Sequence, residues 1–262
     1  MAEAEELEEA RHEAEGGMPP RGIGALRRRG IYLLPNLFTT AALFFGFYAI
    51  VQAMNARFEN AAIAIFVAMV LDGLDGRIAR LTHTTSEFGA QYDSLSDMVS
   101  FGAAPALVMY EWALKDMGKL GWIAAFVYCV GAALRLARFN ANIDVIDKRY
   151  FQGLPSPMAA AFVAGLVWVF DDLHIDRELW LSIIAWIFTM YAGITMVSNV
   201  PFYSFKEFNL KKAVPFWVAA VCAAALGVIS LKPSVVLFLL VFGYGVSGYV
   251  LWFLGRRVKP AA

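Results

Sequence analysis

Thiol and imidazole are scarce in this chain: its 262 residues include two cysteines and three histidines. Cys129 and Cys222 both fall inside apolar runs. There they read as small packing residues, so neither a disulfide framework nor a thiolate metal site is expected. His12 and His83 lie in polar segments and His174 in a short loop, and all three read as solvated. Net charge is lacking as well, with 22 Lys and Arg against 22 Asp and Glu. That balance points to no partner by itself, and no nucleic acid is expected. The strict apolar–polar alternation of a membrane barrel strand is also missing; long, continuously apolar segments exclude a closed barrel. The first seventeen residues hold seven glutamates, no aromatic, and end in Gly16-Gly17. They read as a solvated tail without the n-region and h-region order of a secretory signal.

What the chain has in excess is apolar surface. Hydrophobic residues make up 60% and aromatics 15%, and the mean hydropathy is +0.58, where soluble domains are roughly 45–50% apolar. Apolar runs recur, several near the ~20 residues that span a bilayer. The expected fold is all-α: a polytopic transmembrane helical bundle of about eight spans, near 33–54, 58–80, 93–114, 120–140, 156–171, 179–198, 212–230 and 234–254. With the N-terminus in the cytoplasm, 17 of the 22 Lys and Arg fall inside; Arg57, Lys115, Lys119, Arg177 and Lys232 fall outside. This bias predicts that both termini face the cytoplasm, along with the ends of spans two and four and the starts of three and five. Residues 1–30 form an acidic tail and a basic juxtamembrane segment suited to anionic head groups. Residues 31–200 are expected to form a membrane core, and 201–262 two further helices with a basic C-terminus.

Against this background "LDGLDGRIARLTHTTSEFGAQYDSLSD" (71–97) is anomalous, because it holds four aspartates at the cytoplasmic edge of two spans. Asp72 and Asp75 are spaced i, i+3 and share a helix face with Gly76 and Arg80; Asp93 and Asp97 are spaced i, i+4, with Gly89 one turn earlier. The short connection makes spans two and three antiparallel neighbours, and the glycines would let their backbones approach. Four carboxylates then converge and repel one another unless a cation lies among them. All-oxygen donors favour hard ions, Mg²⁺ or Mn²⁺ with Ca²⁺ admitted, and four carboxylates suit two ions clamping a phosphoryl centre. Helix capping explains Asp93 and Asp97 near a helix start. It does not explain Asp72 and Asp75 at the negative pole of a helix end. A proton or cation pathway through the bundle is the competing reading, since transporters also bury carboxylates.

Asp72-x-x-Asp75-Gly76-x-x-Ala79-Arg80, eight residues, then Gly89-x-x-x-Asp93-x-x-x-Asp97 resembles, at every fixed position, the motif of the CDP-alcohol phosphatidyltransferase family. "LPNLFTT", "LRLARFN" and "FQGLPSPMAA" are similar to the phosphatidylserine synthase branch of that family. The resemblance covers roughly residues 30–200 and implies a six-helix core, with the last two spans outside it. It implies that Asp72, Asp75 and Asp93 hold one metal, that Asp72, Asp93 and Asp97 hold or border a second, and that Asp97 is the general base. It further implies that Gly76, Arg80 and Ser86 contact CDP-diacylglycerol, with Gly89 and the Asn36-to-Thr39 turn lining the same pocket.

The reaction so implied is attack by the L-serine hydroxyl on the phosphorus bonded to diacylglycerol, with release of CMP, in the inner membrane of a bacterium. The serine carboxylate needs a cation, and Arg135 and Arg138 at the end of span four are candidates, with positive-inside anchoring as their other reading. Asn140 is a candidate for the ammonium group or a helix end. A glycerol phosphate, inositol phosphate or choline acceptor is the alternative within the class, and an ion-coupled transporter the alternative outside it. The family's habit implies a homodimer.

Overall fold

The computed structural model describes residues 23–82, 84–141, 150–176, 178–203, 227 and 229–255, without the side chains of 23–33 and 150. Among them are the helices α1 (Ile23–Met54), α2 (Phe58–Leu81) and α3 (Glu87–Asp97). α3 runs on without a break through a π-helical segment, Met98–Ala103, into α4 (Ala104–Met109) and a second π segment, Tyr110–Leu114. Then come α5 (Lys119–Ala141), α6 (Ser156–Asp172), α7 (Leu179–Val197) and α8 (Pro233–Phe253). An antiparallel pair of three-residue strands, β1 (Tyr150–Gln152) and β2 (Pro201–Tyr203), is the departure from an all-α chain.

Four stretches are helical, long and apolar enough to cross a membrane: Leu34–Met54, Lys119–Ala141, Leu179–Val197 and Pro233–Phe253. α2 carries Asp72, Asp75, Arg77 and Arg80 in its second half, and α6 has 17 residues. The third apolar stretch is divided by its π turns. The expected span 212–230 lies almost wholly outside the described residues, as do the acidic tail, His12, His83 and the basic C-terminus.

Small residues dominate the interior. Ala42, Ala49 and Ala53 of α1 and Ala61, Ala62, Ala64 and Ala68 of α2 are buried, and these two helices pack along much of their length. α6 is the central helix, with every residue from Ala159 to Val169 buried and contacts to α2, α7 and α8. A helix apolar all round belongs in such a position. Large side chains such as Phe44, Phe47, Leu120, Trp122 and Phe253 point outward, an arrangement that a lipid surround would favour.

α2 and the α3–α4 rod are neighbours only in part. α2 packs against Met98–Met109, whereas Glu87–Asp97 leans on α1. The two aspartate-bearing helix ends therefore splay, leaving a wedge roofed by α1. Gly76 and Gly89 do not mediate a tight crossing, contrary to the sequence expectation. A methyl group on Gly76 would meet the Arg80 guanidinium at 3.7 Å, and one on Gly89 the Ser86 hydroxyl at 3.1 Å. The close backbone approach is elsewhere, where a Cβ on Gly46 of α1 would stand 2.7 Å from the Ser100 Cα.

Candidate active site

The wedge is assembled by local rules. Ser86 caps α3, its Oγ accepting the Gly89 N–H at 3.0 Å, so the helix starts at Glu87, less than two turns before Asp93. Hydroxyls then fix α3 to α1. The Ser96 Oγ donates to the Thr39 carbonyl and the Ser100 Oγ to the Ala42 carbonyl, both at 3.1 Å, while the Tyr92 hydroxyl pairs with Thr40 at 3.0 Å. Tyr92, Ser96 and Ser100 fall at four-residue spacing, so their polar stripe is legible in the sequence as one helix face.

The expected carboxylates do converge. Asp72, Asp75 and Asp93 each offer an oxygen, all within 4.8 Å of one another, as a metal ion requires. Asp97 lies close enough to Asp72 and Asp93 to interact with both. The Thr39 Oγ1 donates to Asp75 Oδ2 at 2.7 Å, which orients the most buried member of the set. The Oδ1 of Asp93 is buried with no hydrogen-bond partner among the described residues. A carboxylate oxygen in that position costs free energy unless a cation meets it. The donor set therefore fits a hard divalent ion.

Beside the carboxylates opens a cavity of about 260 Å³. Asn36, Thr39, Gly76, Arg80, Ser86 and Gly89, the residues expected to meet the nucleotide, all line it, and so do Asp75 and Asp93. Thr84 and Thr85 also line it and were not foreseen; their only signal was a run of hydroxyls between two helices. Arg80 is exposed at the rim, within Coulombic reach of Asp75. The absent side chain of Gly76 leaves the space in front of its guanidinium clear.

On the other flank the two candidate arginines differ. Arg138 is taken up by carbonyl oxygens of backbone and amide: its Nη1 donates to Val197 O and Asn199 Oδ1, and its Nη2 to Gln152 O, at 3.0–3.2 Å. Ser198 O lies 3.3 Å from the same Nη2. It staples the end of α7 to β1. Arg135 donates to the buried Ser156 Oγ at 2.7 Å, at the first turn of α6, and lies within electrostatic reach of Asp97. Asn140 is tied to Ser94, next to Asp93 in sequence, at 3.0 Å. The amides of Gly153 and Leu154 are spent on Val200 O and Thr195 O.

Fold and site together describe a helical bundle with membrane-spanning helices and an acidic, metal-competent cluster beside a polar cavity at one end. Residues 32–197 match the family model for CDP-alcohol phosphatidyltransferase, and the chain belongs to that family. It is similar to proteins named CDP-diacylglycerol–serine O-phosphatidyltransferase from three sources. With that of Helicobacter pylori (strain ATCC 700392 / 26695) it shares 38% identity over 187 residues, 69% of this chain and 77% of that protein. With that of Mycobacterium tuberculosis (strain ATCC 25618 / H37Rv) it shares 33% over 241 residues, 86% and 79% of the two chains. With that of Methanocaldococcus jannaschii it shares 31% over 201 residues, 77% and 90%.

Proposed function

We propose that this chain transfers the phosphatidyl group of CDP-diacylglycerol to the hydroxyl of L-serine, giving phosphatidylserine and CMP. The observation that carries this reading is the convergence of three aspartates on a cavity lined by Arg80 and Thr39, in a chain whose relatives across 69–86% of its length bear that activity's name.

In this reading Asp72, Asp75 and Asp93 hold a divalent cation, with Asp97 bordering a second. Such cations, Mg²⁺ or Mn²⁺ by the hardness of the donor set, would offset the pyrophosphate charge and polarise the phosphorus. The protein supplies the rest. Arg80 forks onto phosphate oxygens at the rim, while Asn36, Ser86 and Gly89 border the nucleotide. Thr39 holds the Asp75 carboxylate in one orientation. Asp97, at the edge of the group, accepts the proton of the serine hydroxyl as its oxygen bonds to phosphorus and the bond to CMP breaks. Arg135 rather than Arg138 is assigned to the serine carboxylate, because Arg138 is taken up by carbonyl oxygens while Arg135 lies near Asp97.

The cellular frame rests on charge: 17 of 22 basic residues sort to one side, which supports eight spans with both termini and the cluster facing the cytoplasm, in a bacterial inner membrane. A lipid-linked donor with its acyl chains in the bilayer and its cytidine in water suits that placement. The domain division at about residue 200 and a homodimer belong to the same proposal. The test is CMP release from CDP-diacylglycerol by the purified protein, with L-serine, glycerol phosphate and inositol phosphate compared. Serine-dependent release is expected; release driven by another acceptor would reassign the enzyme within its family.

A further inference from the structure

The rod that carries Asp93 and Asp97 is gripped from α5 on both sides of Asp97. Before it, the Asn140 Nδ2 donates to the Ser94 Oγ at 3.0 Å. One turn after it, the Tyr128 hydroxyl donates to the Phe101 carbonyl, also at 3.0 Å. Tyr128 and Phe101 are both fully buried, and neither has a part in the proposed chemistry. The two helices have little slack here. A Cβ on Gly102 would stand 3.2 Å from the Cβ of Ala132, which lies one turn along α5 from Tyr128.

Pro105 explains why the Phe101 carbonyl takes a side-chain donor. In an α-helix that oxygen would receive the N–H of the residue four positions on, and proline has none. The proline ring would also press against the same oxygen. The rod answers with π geometry over Met98–Ala103, where the Ala104 N–H reaches back to Val99 O. A buried carbonyl still needs a donor, and Tyr128 supplies one from the neighbouring helix. A proline that withholds a hydrogen, a widened turn and a phenol that provides one thus meet at a single carbonyl. Asp97 is the residue from which the chain enters that turn. Were the turn to tighten to α form, the end bearing the carboxylates would rotate relative to Phe101 and Val108, which the core holds.

We propose that Tyr128 is a positioning residue for the reaction: by holding the Phe101 carbonyl it keeps the turn after Asp97 wide, and so keeps Asp93 and Asp97 aimed at Asp72 and Asp75. The inference rests on the roles assigned above to these aspartates. In the full-length purified protein at saturating Mg²⁺, Tyr128→Phe is expected to lower kcat about ten- to a hundredfold, the cost of an ångström-scale misplacement. The KM values for CDP-diacylglycerol and serine should change far less than kcat. Mn²⁺ affinity, read by electron paramagnetic resonance without substrates, should fall about tenfold as the carboxylates cease to converge. Tyr191→Phe is the control, since it removes the same hydroxyl from another helix carbonyl, Gly245 O at 2.8 Å. It should lower the melting temperature and leave kcat unchanged. Pro105→Ala returns an N–H to position 105; added to Tyr128→Phe, it should recover the melting temperature but not kcat. An unchanged kcat or Mn²⁺ affinity in folded Tyr128→Phe, an equal kcat loss in Tyr191→Phe, or kcat recovered in the double variant would each overturn the inference alone. If Tyr128→Phe does not fold, Pro105→Ala alone decides, because its N–H competes with Tyr128 for the carbonyl: a lowered kcat in folded protein supports the inference and a normal one overturns it. An unsubstituted protein that neither binds Mn²⁺ nor releases CMP would overturn the reading of the aspartates and this inference with it.

Discussion

The two flanks of the aspartate cluster are built on opposite plans. The nucleotide flank is a wedge between helix ends: it is lined by residues of α1, α2 and the start of α3, and its arginine is exposed. The acceptor flank is a lattice, in which one arginine spans Val197, Asn199 and Gln152, and a helix from the far end of the chain closes over a two-stranded clip. A large, flexible, lipid-linked donor needs a site it can enter from the side. A small amino acid needs a site whose charges are already in place, because it has few atoms with which to organise one. In the proposed reading, the difference makes donor recognition a matter of local sequence spacing and acceptor recognition a matter of tertiary structure.

Substitutions at the boundary should break this contrast most severely. Asp93→Asn and Asp72→Asn are expected to abolish CMP release, since in the proposed reading each carboxylate serves the shared metal group and its loss would disturb the neighbouring ligands. Chelation with EDTA should silence the unsubstituted protein, and Mg²⁺ or Mn²⁺ should restore it. Near-normal turnover in either folded variant would remove the metal assignment. Asp97→Asn should lower kcat by about 10²–10⁴, the usual weight of a general base, while CDP-diacylglycerol binding measured by titration stays close to normal. An equal loss of binding would make Asp97 chiefly a ligand.

Smaller effects should separate the flanks. Arg135→Ala is expected to raise the serine KM well over tenfold, from ~2–5 kcal/mol for a desolvated charge pair losing one member, with partial rescue by lysine. Arg138→Ala should instead lower the melting temperature and affect both substrates alike, because it leaves helix-end and strand carbonyls unpaired. If the two variants behave identically, the division of labour between these arginines is wrong. The mildest change is Ser86→Ala, which removes a cap worth ~1 kcal/mol. A few-fold rise in the KM for CDP-diacylglycerol with an unchanged KM for serine would place its effect on the donor flank alone.

The same division governs what could be read before the structure. Asp72, Asp75, Asp93 and Asp97 were legible because helical periodicity converts their spacing directly into a shared face, and the cavity gathers Asn36, Arg80 and Gly89 as the motif implied. The separate roles of Arg135 and Arg138 were not legible. Both sit in one apolar helix at three-residue spacing, and their partners lie 14, 21 and 59–61 positions away in sequence. β1 and β2 are three residues each, too short to leave a periodic trace against the surrounding loops. Gly76 and Gly89 were misread as a helix crossing because sequence shows that space is made, but not whether a backbone or a ligand fills it.

Directly after Asp97 the chain enters the π-helical segment Met98–Ala103, where the Ala104 N–H bonds back five residues to Val99 O. Each such turn holds one residue more than an α turn and so offsets the angular phase of what lies before it against what lies after. Asp93 and Asp97 meet Asp72 while Phe101, Ala104 and Val108 of the same rod stay fully inside the core. A uniform α-helix, advancing about 100° per residue, would have to satisfy both demands with one face. The π segment works as a phase shifter, letting the chemistry at the surface and the packing below be tuned independently, and a one-residue deletion within it would turn the carboxylates away while leaving the core intact.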